Sequence, residues 1–549
     1  MLLQNAACST KIISFVLGMK QTAAIIFRSA ILVLLGVTIG LYIGGGSFGG
    51  EDVDLAFSGR SKLSKVLDLV RNNYVDSVNV DSVEGETVNE LLQRLDPHSI
   101  YLPAQQAQSV NEKLEGGFNG IGVEYNLLRD TMVISYVYPG GPAALQGIKA
   151  GDKVIEANHQ KFAGIQLTNT QVSKTLRGEK GSKLDLAVLP AGSNSLKTVT
   201  IKRDRVPLSS IDAAYKIAGE TGYIKISKFA TTTDADFRKA LLKLKADGVK
   251  KLVLDLRGNG GGYLNTATSL ADEFLNSKQL IVYTKGKHEP RTDYFATDSG
   301  VFQNGKLAVL IDEYSASASE ILAGSLQDLD RATIVGRRSF GKGLVQEQFQ
   351  FDDGSAVNLT VARYYTASGR SIQKTYKDGA VSYRNELAER MRKGELFSAE
   401  SNLNDSVLRT NSKYRTSAGR KVFSGGGIMP DVFVPEDTTK NTWLIHQLSK
   451  NDVFTAYVID YLQLVLKTYT TDDAFISQYN VSDVELNRFF KYAALTVKDI
   501  TNEEIIAGKA HAKTLLKATA AHFKWGDEAY YKTLNNTDVA VWKAVESLD

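Results

Sequence analysis

Between residues 61 and 115, apolar positions recur at three- and four-residue spacing. Leu63, Val66, Leu67 and Val70 form one such set, and Val88, Leu91, Leu92 and Leu95 form a second, so amphipathic helices are predicted here. The segment LDPHSIYL, residues 95–102, breaks the second helix at Pro97 and leaves His98 as a turn residue. From about 116 to 204 the period drops to two, as in Val133, Ser135, Val137 and in Leu184, Leu186, Val188, with glycine turns between the runs. That is the pattern of half-buried strands in a small β-rich module. From 220 to 375, strands such as GYIKISKF, KKLVLDLRG, LAVLIDE and ATIVG alternate with helical segments such as TTDADFRKALLKLKADG, TATSLADEFLN and SASEILAGSLQDL. Such alternation predicts an α/β core on a mostly parallel sheet. Past about 437 the patterns are largely helical, and no repeat of fixed period is found.

One stretch departs from all of these periods. Residues 29–50, SAILVLLGVTIGLYIGGGSFGG, carry no charge and follow Lys11, Lys20 and Arg28. A positive flank leading into an apolar run reads as an export signal or a single membrane anchor, and the lack of a clean small-x-small site favours an uncleaved anchor. Positive charge on its amino side places the bulk of the chain outside the cytoplasm. Met19-Lys20 makes a more conventional start for such a segment. The 549 residues suggest roughly three to four domains. With 43% hydrophobic residues, 46 glycines and 9 prolines, wholesale disorder is excluded. Lys plus Arg at 65 against Asp plus Glu at 61 leaves a net charge of +4, too dilute for a nucleic-acid partner. The single cysteine, Cys8, rules out intramolecular disulfides and thiolate metal clusters.

Two glycine-rich motifs invite a nucleotide reading. In LVLDLRGNGGGYLN the third glycine of a dinucleotide fingerprint is replaced by Tyr263. In GRRSFGKG the residue after Gly-Lys is Gly343 where Ser or Thr should hold Mg²⁺, and LVQEQFQF alternates like a strand where a P-loop must enter a helix. Those failures set nucleotide hydrolysis aside as a minor alternative.

A different chemistry joins three segments: the glycine loop, EYSASASEILAG and FGKGLVQ. Ser317 stands at the entrance of a helix, where the dipole and the free N–H of Ala318 favour developing negative charge. A serine needs a base, and the histidines (98, 159, 288, 446, 511 and 522) leave residues 289–445 empty. Lys342 serves instead if burial against neighbours such as Phe340 disfavours its ammonium form. Gln346, four residues on, can orient the amine by a neutral hydrogen bond. The bland readings are a helix cap supplied by Ser315 or Ser319, and a solvated lysine between glycines.

The module from 116 to 204, with PGGPAALQGIKAGDKVIEAN between its strands, resembles a PDZ domain. That resemblance implies that the backbone N–H groups of Gly120, Ile121 and Gly122 receive a peptide's terminal carboxylate, with the following strand taking the peptide by β-augmentation. From about 62 to 437 the ordered segments LDPHSIYL, DLRGNGGG, SASASEILAGSLQD, GRRSFGKGLVQ, TVARYYTASGRSIQ and GGGIMPDVFVP resemble the carboxy-terminal processing peptidases, the tail-specific serine proteases. The resemblance implies Ser317 as nucleophile, Lys342 as general base and Gln346 in support. It also implies an oxyanion hole from the N–H of Ala318 and that of Gly261 or Gly262. Gly260 stands where the family often has proline, and Tyr314 replaces a frequent glycine.

The expected architecture is an export signal or anchor (1–50), a helical region (51–115), an inserted PDZ domain (116–204), a serine-lysine protease core (205–437) and a helical C-terminal extension (438–549). No cofactor or metal is implied. The implied partners are protein substrates with accessible carboxyl tails and, through the first segment, a membrane, in the bacterial periplasm. Homo-oligomerisation stays open. A non-catalytic PDZ scaffold is the competing reading.

Overall fold

A computed structural model describes residues 62–399, 413–440 and 442–549. The apolar segment at 29–50 lies outside the described residues, and among the described residues no helix is long and apolar enough to cross a membrane. The chain divides into two compact units, residues 1–84 and 85–549. The described part of the first holds helix Lys62–Asn73 and the start of helix Val80–Gln93.

The second unit is built on a central sheet ordered Ile211–Ala218, Thr221–Ile226, Lys251–Asp255, Lys306–Ile311, Thr333–Gly336 and Val432–Phe433. Its first pairing is antiparallel and the other four are parallel. A second sheet carries Ile100–Leu102, Leu280–Gly286, Thr292–Phe295, Leu344–Gln350 and Ala356–Thr366, all antiparallel. The sheet composition is therefore mixed, and the expectation of a mostly parallel core needs that correction. The physical reason is loop length: five residues between Leu344–Gln350 and Ala356–Thr366 can close a hairpin but cannot carry a parallel crossover.

Parallel strands must be covered on both faces. On one face Ile224, Leu252, Leu254, Val309 and Ile334 pack against helices Thr233–Ala246, Leu264–Asp272 and Ala318–Asp328. On the other, Tyr223, Val253, Ala308, Leu310 and Val335 are covered by Ala540, Val541, Ala544 and Leu548 at the very end of the chain.

The β-rich module folds around Ile121, Met132, Ile134, Val154, Val172, Leu184 and Ile201. Its sheet runs Val123–Leu128, Thr131–Val137, Lys153–Ala157, Lys183–Leu189 and Lys197–Lys202, so Val123–Leu128 is an edge strand. The helical extension has its own core of Leu448, Phe454, Tyr457, Phe475, Phe489 and Leu516, which Val133 of the β-rich module joins. Arg129 makes a two-toothed pair with Asp460 at 2.9 and 2.8 Å. Toward the central sheet, Glu528 accepts from the Ala214 N–H (3.3 Å), Asn535 donates to Tyr215 Oη (2.8 Å), and Lys251 pairs with Asp549. The extension thus touches both the β-rich module and the α/β core.

Candidate active site

Ser317 begins helix Ala318–Asp328 with φ 55° and ψ −114°, a backbone conformation that costs a non-glycine residue about 1–3 kcal/mol. The surroundings hold it there. Its N–H donates to Glu320 Oε2 at 2.9 Å, and its carbonyl accepts from the Tyr364 hydroxyl at 3.1 Å. Tyr364 Oη also donates to the Lys342 carbonyl at 2.6 Å. Glu320 is wholly buried and accepts from the N–H of Gly341 (2.7 Å), the N–H of Lys342 (2.9 Å) and the Ser339 hydroxyl. One carboxylate and one phenol therefore clasp the Ser317 and Lys342 backbones together.

Ser317, Lys342 and Gln346 line one cavity of about 320 Å³, with Gly260, Gly262 and Tyr364 also in its wall. Lys342 is half-buried, forms no ion pair among the described residues, and shares the cavity wall with Ile321, Leu344 and Val345. Burial holds its ammonium below the usual lysine range, against the attraction of Glu320 and Asp96. Phe340, expected beside it, carries Lys374 on its ring face at 3.9 Å. Burial pushes the Glu320 carboxyl up to about 7 despite its four donors. Gln346 Nε2 donates to Thr360 Oγ1 at 3.2 Å, and its carboxamide oxygen takes no donor among the described residues.

The flanking serines of the SASAS run are fasteners. Ser315 Oγ donates to the Leu256 carbonyl (2.9 Å) and Ser319 Oγ to the Asn259 carbonyl (2.8 Å), which pins the glycine loop against the serine helix. Within that loop Gly261 donates its N–H to Asn259 Oδ1 at 2.8 Å, so it is not free to face the cavity. Its requirement is steric. A Cβ there, at φ +104°, would lie 2.8 Å from both Ser317 Cβ and the Ala316 carbonyl. The N–H groups of Gly262 and Ala318 take no acceptor among the described residues.

His98 behaves as a turn residue through its backbone, whose N–H donates to Asp96 Oδ1 at 2.8 Å. Its ring bonds Tyr383 Oη at 2.7 Å, and burial, with the Lys342 charge, lowers its pKa to about 3. In the GRRSFGKG segment, Gly343 leads into strand Leu344–Gln350, so no helix follows to bind a phosphate. Sequence reasoning missed Glu320, Tyr364 and Asn259. The Ser-x-x-Glu spacing of a capping box pointed to Glu320, whereas Tyr364 carried no local signal.

In the β-rich module, Gly120 ends strand Gly117–Gly120, which pairs with Asp204–Pro207. Ile121 buries its side chain in the module core, and Gly122 turns with φ +79°. The Ile121 and Gly122 N–H groups take no acceptor among the described residues. The edge strand that follows lies close to helix Asn169–Leu176, with Tyr125 Oη donating to the Asn169 carbonyl at 3.3 Å.

Residues 220–381 match the model of peptidase family S41, and residues 109–189 match that of the PDZ domain. Residues 444–526 match a family of unknown function (DUF8443). The chain is similar to the carboxy-terminal processing protease CtpB of Bacillus subtilis (strain 168), 33% identical over 316 residues, 57% of this chain and 65% of that protein. A probable CtpA-like serine protease of Staphylococcus aureus (strain MRSA252) is 34% identical over 317 residues, 57% of this chain and 62% of that protein. The chain thus spans less than two thirds of the length of these relatives. Among solved structures, a photosystem II D1 C-terminal processing protease is 27% identical, with 57% of this chain and 84% of that chain covered and a TM-score of 0.33.

Proposed function

We propose that the chain is a serine endopeptidase that processes or degrades proteins presented by their carboxyl-terminal tails. The observation that carries this reading is a strained serine at a helix N-terminus sharing one cavity with a lysine whose charged form is disfavoured. Ser317 Oγ attacks the peptide carbonyl carbon, and its proton passes to the neutral Lys342 amine. The carbonyl π electrons move onto oxygen, where the N–H groups of Ala318 and Gly262 receive them. Collapse breaks the C–N bond, and Lys342 returns the proton to the leaving amine. Water then attacks the Ser317 ester with Lys342 again as base, releasing the new carboxylate. The free carboxamide oxygen of Gln346, in the same cavity wall, is placed to accept from the Lys342 amine once substrate is bound, adding no negative charge that would stabilise the ammonium.

The PDZ domain takes the substrate tail, its carboxylate on the N–H groups of Gly120, Ile121 and Gly122 and its strand against Val123–Leu128. The test is a protein with an apolar carboxyl end, offered as the free acid and as the carboxamide. Cleavage of the acid, much slower cleavage of the amide, and none by Ser317→Ala are expected. Equal cleavage of both forms would remove tail recognition, and activity surviving in Ser317→Ala would remove the mechanism.

The pH dependence follows from the two perturbed groups. Protonated Lys342 is not a base, so kcat/KM rises about tenfold per pH unit up to the lysine's lowered pKa and then levels off. Below about pH 7, protonation of Glu320 removes one acceptor site from the clasp and steepens the loss. A profile that falls as pH rises would contradict the assignment of Lys342.

A further inference from the structure

The C-terminal extension reaches the root of the glycine loop through one ion pair. Arg257, the residue before Gly258, is a strut with carboxylates at both ends. Its Nε donates to Asp255 Oδ1 at 3.0 Å and its Nη2 to Asp255 Oδ2 at 2.6 Å. Its Nη1 donates to Asp538 at 3.2 Å (Oδ1) and 3.1 Å (Oδ2). Asp255 ends a central strand, whereas Asp538 caps the last helix, Val539–Glu546, accepting from the N–H groups of Ala540 (2.9 Å) and Val541 (3.2 Å). A cap needs only one side-chain oxygen, so the charge and the second oxygen of Asp538 exceed what the helix requires.

Downstream of this strut the loop is also held at Asn259, whose carbonyl accepts from Ser319 Oγ and the Ala316 N–H, and at Gly261, whose carbonyl accepts from the Phe229 N–H. Gly258 donates its N–H to Asp312 at 2.9 Å, Gly261 is held by Asn259, and the intervening Gly260 fixes nothing through a side chain. Glycine backbone has the widest conformational freedom, so the position of the Arg257 root adds to the Phe229 contacts in setting the aim of the Gly262 N–H. A donor displaced by about 1 Å from a developing oxyanion can lose about a hundredfold in rate.

We infer that Asp538 is a positioning residue for the oxyanion-binding loop, acting through Arg257, so that the docked C-terminal extension completes the active site of the core. This rests on the function proposed above. Removing the Asp538 carboxylate leaves Arg257 Nη1 in a mostly enclosed place without its acceptor, and the strut is free to swing away from the extension.

The test uses the full chain and separates capping from pairing. Asp538→Ser keeps a cap oxygen and removes the partner of Arg257, whereas Asp538→Ala removes both. For Asp538→Ser, kcat is expected to fall about tenfold or more with KM within about twofold. Its melting temperature should fall less than that of Asp538→Ala, and amide hydrogen exchange should speed up across residues 256–263. Asp538→Ala should add a lower melting temperature. In an Arg257→Met background, Asp538→Ser should change kcat no further. Unaltered kcat together with unaltered loop exchange in a folded Asp538→Ser chain would overturn the inference while leaving the proposed function intact. If the unaltered chain cleaves no substrate, the proposed function falls, and the exchange of residues 256–263 alone decides whether Asp538 holds the loop.

Discussion

Lys342→Met is expected to abolish hydrolysis and to leave a protein that melts at a higher temperature than the unaltered chain. Methionine keeps the length and apolar stem of lysine but can neither accept the Ser317 proton nor return it to the leaving amine. Loss of either member of a nucleophile and base pair lowers kcat by at least about ten-thousandfold, because the remaining group cannot act alone. The stability change has the opposite sign. Burial lowers the lysine's pKa in the folded state, so the unfolded chain holds that proton more tightly. The folded state therefore bears the full cost of the buried ammonium at acidic pH. That cost shrinks as pH rises through the lowered pKa toward the ordinary value of 10.5. The gain in Tm for Lys342→Met should accordingly be largest at acidic pH, below the lowered pKa, and fade toward pH 10. Steady-state kinetics and melting curves at several pH values check both halves. An active variant, or one less stable than the unaltered chain at acidic pH, would show that Lys342 is an ordinary solvated side chain.

Deleting residues 438–549 is expected to cost the chain its soluble fold. The central sheet has a second apolar face, Tyr223, Val253, Ala308, Leu310 and Val335, whose cover includes Ala540, Val541, Ala544 and Leu548. Uncovering it forfeits several kcal/mol of burial, on the order of the whole stability margin of a domain. The same deletion removes the helical residues that share a core with Val133 and leaves Arg129 without Asp460. Soluble yield, dye binding to exposed apolar surface and thermal melting measure the loss. A monodisperse truncated chain with full activity would mean that the core closes its sheet without the extension.

Some of this was legible because it is local. The 3.6-residue period of the serine helix and the glycine run after a buried strand depend only on each segment's own backbone, and they brought Ser317 and the loop forward as candidates. The choice of the middle serine is different, because Ser315 and Ser319 are fastened to carbonyls 59 and 60 residues away. The same distance problem hid Glu320, whose acceptors join it to Gly341 and Lys342, 21 and 22 residues on. Amphipathic patterns after residue 437 revealed helices with an apolar side, but an apolar side has no address until a surface of matching shape is folded beside it.

The chain's own order of residues determined which segments would be strands or helices, where the β-rich module and the core lie, and which side chains could carry acyl-transfer chemistry. Periodicity and residue type act through a segment's immediate geometry, so they need no partner to be read. Tertiary structure decided that Asn259 occupies the Gly261 N–H and leaves that of Gly262 open. It also decided that Gln346 leans on Thr360, that an antiparallel sheet stands beside the central one, and that the last helix closes the core and grips Arg257. Each of those outcomes depends on directional hydrogen bonds or close packing between residues far apart in the chain, which exist only once the backbone has brought both partners to within about 3–4 Å.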